Sequence, residues 1–362
     1  MRLFIIGFCL LVFQLRGQDS IRTGSFDATF FKGNILSHAE DINHLITGHP
    51  NGLILSYNFK TFGAEDWKKA YNYPEYGFSF LCQDFQNQYL GENYAIGAHF
   101  NFYFFKRNLM FRVSQGIAMT TNPYDSETNY KNNAFGSRFL SSNYFMLQYK
   151  KEYLINRLGF QTGLVFTHFS NGRTKSPNKG INTFAFSVGL NYNLDEPLIY
   201  PATDSIAKFT EPIKYNISLK TGVNESPVVG LGQEPFLHLG FYVDKRISLK
   251  SAFQAGTELF ITPSIKEYIK YRSVAFPELE PVDPDTDYKR VSVFVGYELF
   301  INKISFEFQL GAYVYRPFDE DMPIYERLGM KYYFTKKVFS SLSLKTHGSK
   351  AEAIEWGIGV RL

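Results

Sequence analysis

A histidine and a serine stand two positions apart, at His168 and Ser170, at the end of a run in which apolar residues alternate with small or polar ones. Side chains of a strand alternate between faces, so residues two apart share one. A His and a Ser held together in this way can act as general base and nucleophile toward an ester carbonyl. Here the shared face is the apolar one. In 161–170 it carries Thr162, Leu164, Phe166, His168 and Ser170. In the next run it carries Asn182, Phe184, Phe186, Val188 and Leu190, whereas Thr183, Ala185, Ser187, Gly189 and Asn191 are small or polar. A polar trio crowning an apolar outer surface points to chemistry on a molecule held in lipid.

The elements that position this trio follow from the rest of the chain. Period-2 alternation recurs from about Gly24 to the C-terminus, as in Tyr94–Phe104, Ile304–Val314 and Ile354–Leu362. These runs are about 10–13 residues long, which suits a strand tilted across a bilayer; strands of soluble sheets average about 5–6. The pattern predicts an all-β fold: a transmembrane antiparallel up-and-down β-barrel of about 14–16 strands, sixteen being preferred, closed as a single domain. Short turns fall at Lys106–Asn108, Asn156–Arg157, Asp244–Arg246, Asn302–Lys303 and Lys336–Lys337. Longer loops fall near Thr121–Ser141, Asn171–Gly180, Asn224–Glu234, Thr262–Asp287 and Phe318–Tyr325. Short turns on the periplasmic side and long loops outside place the His168 hairpin at the outer rim. Thr61–Tyr76 and Asp195–Thr210 fit no strand, and the latter reads as an irregular periplasmic connector.

Composition narrows the class. Residues 1–17 read as an export signal, with Arg2 ahead of the apolar stretch Leu3–Phe13 and a cleavage point near Gly17, leaving 18–362 as the barrel. Aromatics make up 18% of the chain, the residues a barrel needs for its interfacial girdles. Of two cysteines, Cys9 lies in the signal and Cys82 has no partner. The formal charge of +4 is too mild to argue for nucleic acid. His38, His44 and His49 share one loop, but their spacing defines no metal site.

His168-x-Ser170-Asn171, followed by Pro177-Asn178-x-Gly180 and a polar residue at 182, resembles the active-site stretch of the lipid A 3-O-deacylase (PagL-type) family of outer-membrane barrels. The close resemblance covers about residues 158–192, and the greater length resembles outer-membrane acyloxyacyl hydrolases. It implies a carboxylic ester hydrolase of the bacterial cell outer membrane, acting on lipid A or lipopolysaccharide without metal or cofactor. Ser170 matches the family nucleophile and His168 its base. The family's acid aligns with Asn182, a departure: an amide oxygen can orient the imidazole but cannot neutralise the imidazolium. The chain is then a slow hydrolase, an Asn-triad enzyme or an inactive relative, unless Glu225, Asp125 or Glu127 supplies the carboxylate. Asn171, Gly172, Asn178 and Gly180 are candidates for the oxyanion site, although Asn-Gly and Pro-Asn-x-Gly are also ordinary turn chemistry. Arg173, Lys175 and Lys179 can pair with lipid A phosphates or stay as solvated charges.

Two other functions compete with the esterase. A diffusion channel is suggested by Lys250, Glu258, Glu298 and Glu307 on the inner face, and a non-catalytic structural barrel would keep the motif only as a lipid-binding rim.

Overall fold

Each alternating run forms a strand, and consecutive strands pair as antiparallel hairpins within each set of eight. A computed structural model describes residues 23–201, 209–275, 277–278, 281–319, 321–348 and 350–362. Its first eight strands are β1 (Gly24–Ile35), β2 (Asn51–Lys60), β3 (Glu75–Asp84), β4 (Glu92–Phe104), β5 (Leu109–Thr120), β6 (Phe139–Ile155), β7 (Leu158–Ser170) and β8 (Ile181–Asn193). The second eight are β9 (Lys214–Glu225), β10 (Gln233–Arg246), β11 (Ser251–Ile261), β12 (Arg290–Ile301), β13 (Ile304–Tyr315), β14 (Ile324–Tyr333), β15 (Val338–His347) and β16 (Lys350–Arg361). The export signal expected at 1–17 lies outside the described residues.

Sixteen strands and their hairpin order agree with the sequence reading; the single ring does not. β8 turns back to pair with β1, from Ser25 opposite Asn193 to Ile35 opposite Thr183. β16 pairs with β9, from Trp356 opposite Thr221 to Arg361 opposite Asn216. Two closed rings of eight result. Hairpin signals are the same for one ring of sixteen or two of eight, because closure depends on pairing between strands far apart in sequence. The side chains decide it. Eight strands leave an interior just wide enough for side chains to fill, and large polar residues fill both.

In the first ring, buried Arg112 donates to Asn101, Ser56 and Asn58 and pairs with Asp27, which also meets Lys150. In the second, Arg327 bridges Glu258 and Glu355, and Lys331 pairs with Glu298 and Glu307. Thus Glu258, Glu298 and Glu307 face inward as expected, but Lys250 does not. It sits in the turn before β11, its Nζ over the ring of Tyr71 at 4.5 Å. The opposite faces carry large apolar residues turned outward, among them Phe30, Phe80, Phe186, Phe241 and Val295. No helix among the described residues is long and apolar enough to cross a membrane. Polar inside and apolar outside is the distribution a strand-built membrane barrel requires.

The stretch expected as a periplasmic connector, Asp195–Thr210, falls between β8 and β9, with residues 202–208 outside those described. Thr61–Tyr76 holds the short helix Asp66–Ala70, and the hydroxyl of Tyr71 donates to the carbonyl of Phe300 in the second ring at 2.6 Å. At the long-loop end of the first ring, inward Phe31, Ile54, Leu81, Val165 and Phe169 pack with Ile42, Leu45, Phe85 and Phe135 from the loops. This apolar plug backs the strand ends that carry the candidate site.

Candidate active site

His168 and Ser170 lie on the outward face of β7, and Phe169 between them points inward, fully buried, edge-on to Phe85 with ring centroids 6.0 Å apart. The plug thereby fixes the end of β7 against the lumen; on the opposite face His168 is half-buried and Ser170 buried. Asn182 stands opposite His168 across the β7–β8 ladder. Its Oδ1 lies 2.6 Å from His168 Nδ1. An oxygen there holds the ring proton on Nδ1, so Nε2 is the acceptor for the Ser170 hydroxyl, 3.1 Å away. The structure therefore brings together the three residues picked out from spacing, in the order acceptor, imidazole, hydroxyl.

None of the alternative carboxylates bonds His168. Asp125 accepts from the N–H groups of Thr128 and Glu127 and from the Thr128 hydroxyl, contacts that also hold its carboxyl below the usual carboxylate range. Glu127 is exposed on the same turn. Glu225 does something else. Its Oε2 accepts the N–H of Ser176 at 2.7 Å, and its Oε1 accepts those of Gly230 and Gly232.

Glu225 belongs to a set of contacts by which the second ring holds the 171–180 loop. The backbone N–H of Glu225 donates to Arg173 O, the Ser176 hydroxyl to Ser226 O, and Gln233 Nε2 to Thr174 O. Gly172 packs against Ile354 of β16; a Cβ there would stand 2.3 Å from Ile354 Cγ1. Sequence reasoning missed this role because it joins residues 49 or more apart that share no motif.

Within the loop, the Asn171 N–H donates to Asn178 Oδ1 at 2.8 Å, and Asn171 Nδ2 donates to Lys175 O and Ser137 Oγ. The Gly180 N–H donates to Ala134 O. Asn171 and Gly180 thus spend their backbone donors on shaping the loop. Asn178 differs: its oxygen is fixed by Asn171, and its Nδ2 has no hydrogen-bond partner among the described residues. Gly172 and Gly180 adopt φ of +62° and +68°, the left-handed region where glycine is at ease. Of the three loop cations, Lys179 pairs with Asp41 at 2.6 Å, Arg173 lines a small cavity between the rings, and Lys175 is exposed. The loop histidines His38, His44 and His49 turn to Lys179 O, Lys131 O and Asn34 Oδ1 respectively.

Acyl transfer through a covalent intermediate needs a hydroxyl, a base of fixed tautomer and a donor for the oxyanion; the hydrogen-bonded Ser170 and His168 have the geometry of the first two.

Comparison with known families separates the rings. Residues 51–191 match the model for lipid A 3-O-deacylase (PagL), and residues 213–362 match that for the acyloxyacyl hydrolase C-terminal domain. No curated protein matches the chain. Among solved structures, a double mutant of the Rh. blastica porin is 10% identical, covering 94% of this chain and 99% of its own, with a TM-score of 0.20. Pseudomonas aeruginosa OccK2 (OpdF), crystallised with glucuronate, is 11% identical over 96% of this chain and 99% of its own, with a TM-score of 0.23. Scores this low carry no structural argument.

Proposed function

Because the chain belongs to the lipid A 3-O-deacylase family, we propose that it is an outer-membrane serine esterase that removes an ester-linked acyl chain from lipid A. One observation carries the reading: Asn182, His168 and Ser170 are hydrogen-bonded in series on the outward, apolar side of β7 and β8. An acyl chain lying along Phe184, Phe186 and Phe166 would bring its ester to that level.

The steps follow from the geometry. Ser170 Oγ attacks the ester carbonyl as His168 Nε2 takes its proton. Charge gathers on the former carbonyl oxygen, where Asn178 Nδ2 is the available donor. The tetrahedral intermediate collapses, His168 returns the proton to the departing sugar oxygen, and the acyl group is left on Ser170. Water, activated by the same imidazole, then releases a free fatty acid. Asn182 holds the imidazole in register throughout but adds no charge, so proton transfer gains orientation without electrostatic help. Lys175, exposed on the loop, is placed to meet a headgroup phosphate.

Incubating the purified protein with lipid A and weighing the lipid by mass spectrometry tests this. The expected result is loss of one ester-linked chain, abolished by Ser170→Ala. Unaltered lipid A, or loss undiminished in the variant, would refute it.

A further inference from the structure

The lipid-facing side of the first ring carries polar side chains that this reaction leaves unused. Gln115 in β5 and Ser141 and Asn143 in β6 occupy outward positions and are half-buried. Asn143 is the cross-strand partner of His168, Ser141 that of Ser170, and Gln115 that of Asn143. Directly opposed side chains have Cβ atoms about 4.5–5.5 Å apart, so the patch abuts the reacting pair on the side away from Asn182. Along the strands apolar residues bracket it: Ile117, Met119 and Phe139 toward the long loops, Val113, Phe145 and Leu147 toward the short turns. The patch is an island within the apolar belt rather than part of its polar rim.

Polar groups turned to hydrocarbon are costly and, where they persist, mark function. Three threonine hydroxyls elsewhere on the outer surface are satisfied by the backbone. Thr162 donates to Ser187 O, Thr221 to Phe236 O and Thr257 to Ser292 O, at 2.7–2.9 Å. The island is satisfied only in part, and mostly by its own members. Gln115 Nε2 donates to Ser141 Oγ at 3.0 Å and to Gly116 O at 3.3 Å, and Asn143 Nδ2 donates to Ser141 Oγ at 3.3 Å. That leaves Gln115 Oε1 and Asn143 Oδ1 without donors, and the Ser141 proton without an acceptor, among the described residues. Two oriented acceptors and one donor stand beside the nucleophile.

We propose that Gln115, Ser141 and Asn143 form a subsite for the amide- and hydroxyl-bearing head of an acyl chain next to the scissile ester. The proposal rests on the deacylase reading and deepens it, because it says how the site selects its lipid. An acylated glucosamine lipid offers N–H and O–H donors and an amide carbonyl at that depth. Phosphatidylcholine offers ester carbonyls and no donor. The subsite thus favours the glycolipid over glycerophospholipid.

Binding, measured apart from hydrolysis, tests it. In the full chain carrying Ser170→Ala, in detergent micelles, affinities are compared for lipid A and phosphatidylcholine. Adding Gln115→Leu, Ser141→Ala and Asn143→Leu together is expected to weaken lipid A binding at least about tenfold and leave phosphatidylcholine unchanged. Asn143→Leu alone is expected to weaken it about threefold. Apolar replacements on a lipid-facing surface keep the barrel folded, which heat-dependent gel mobility checks. Unchanged lipid A affinity overturns the subsite, and so does an equal loss for both lipids. If the unmutated chain hydrolyses nothing, the esterase reading falls while these affinities still decide the subsite.

Discussion

His168 and Asn182 face each other across the β7–β8 ladder, with Nδ1 and Oδ1 2.6 Å apart, so the imidazole is oriented by a neutral partner. In serine proteases, exchanging the triad Asp for Asn lowers kcat by about 10⁴. Asn182→Asp is nearly isosteric and would place a charge against the imidazolium. It is predicted to raise kcat for lipid A at least about tenfold with little change in KM, whereas Asn182→Leu should lower it by a similar factor. Initial rates of acyl release from the two variants check this; an Asn182→Asp enzyme no faster than the unmutated one contradicts it.

Gly180 is predicted to be irreplaceable. A Cβ there would lie 3.0 Å from Phe169 O, 3.1 Å from Ser170 Cβ and 3.4 Å from His168 Cε1, on a backbone with φ of +68°. Alanine in that region costs about 1–2 kcal/mol, and displacing the nucleophile by about 1 Å costs up to about 100-fold in rate. Gly180→Ala should therefore keep a folded barrel and lose at least nine-tenths of its activity, roughly a tenfold drop. Rates alongside melting temperatures separate the two effects.

The second ring is predicted to support turnover through Glu225. Its carboxylate accepts the Ser176 N–H at 2.7 Å, with Gly230 and Gly232 on the other oxygen. Hydrogen bonds to a buried charged acceptor are worth about 1.5–3 kcal/mol. Glu225→Ala should loosen the 171–180 loop and lower kcat about threefold to tenfold, while Glu225→Gln, which keeps an acceptor, recovers most of it. Equal kcat in both variants would mean that the loop holds its shape without the clamp.

Neither ring is predicted to conduct. Arg112 fills the first lumen and Arg327 the second, each fully buried among hydrogen-bonded partners. Planar bilayers containing the protein should show no discrete current steps. Arg327→Met leaves Glu258 and Glu355 facing each other without their shared cation and should lower unfolding stability by about 3–5 kcal/mol. Denaturant titration measures it, and a neutral outcome would show that the network does not hold the barrel.

Much of this was legible in the residues. Alternation fixes which side of β7 His168 and Ser170 occupy, and two-residue spacing puts them on one face, so the core of the site could be read without coordinates. Closure could not. The pairings of Ile35 with Thr183 and Trp356 with Thr221 join the first and last strands of each ring, far apart in sequence and without a local signal. The physical clue was bulk: side chains as large as Arg112, Lys150 and Arg327 fill a narrow ring and would leave a wide one open. Gln115, Ser141 and Asn143 also escaped notice, although each interrupts the apolar face of its strand. Only the register across three strands shows that the interruptions meet.

The central claim is that Ser170 is a nucleophile activated by His168 at the lipid-facing surface. Reacting the folded protein with a long-chain fluorophosphonate and locating the adduct by peptide mass spectrometry tests it most directly. A single adduct on Ser170, lost in His168→Ala, is the predicted result. An unlabelled protein, or label on Ser170 that survives the loss of His168, would contradict it.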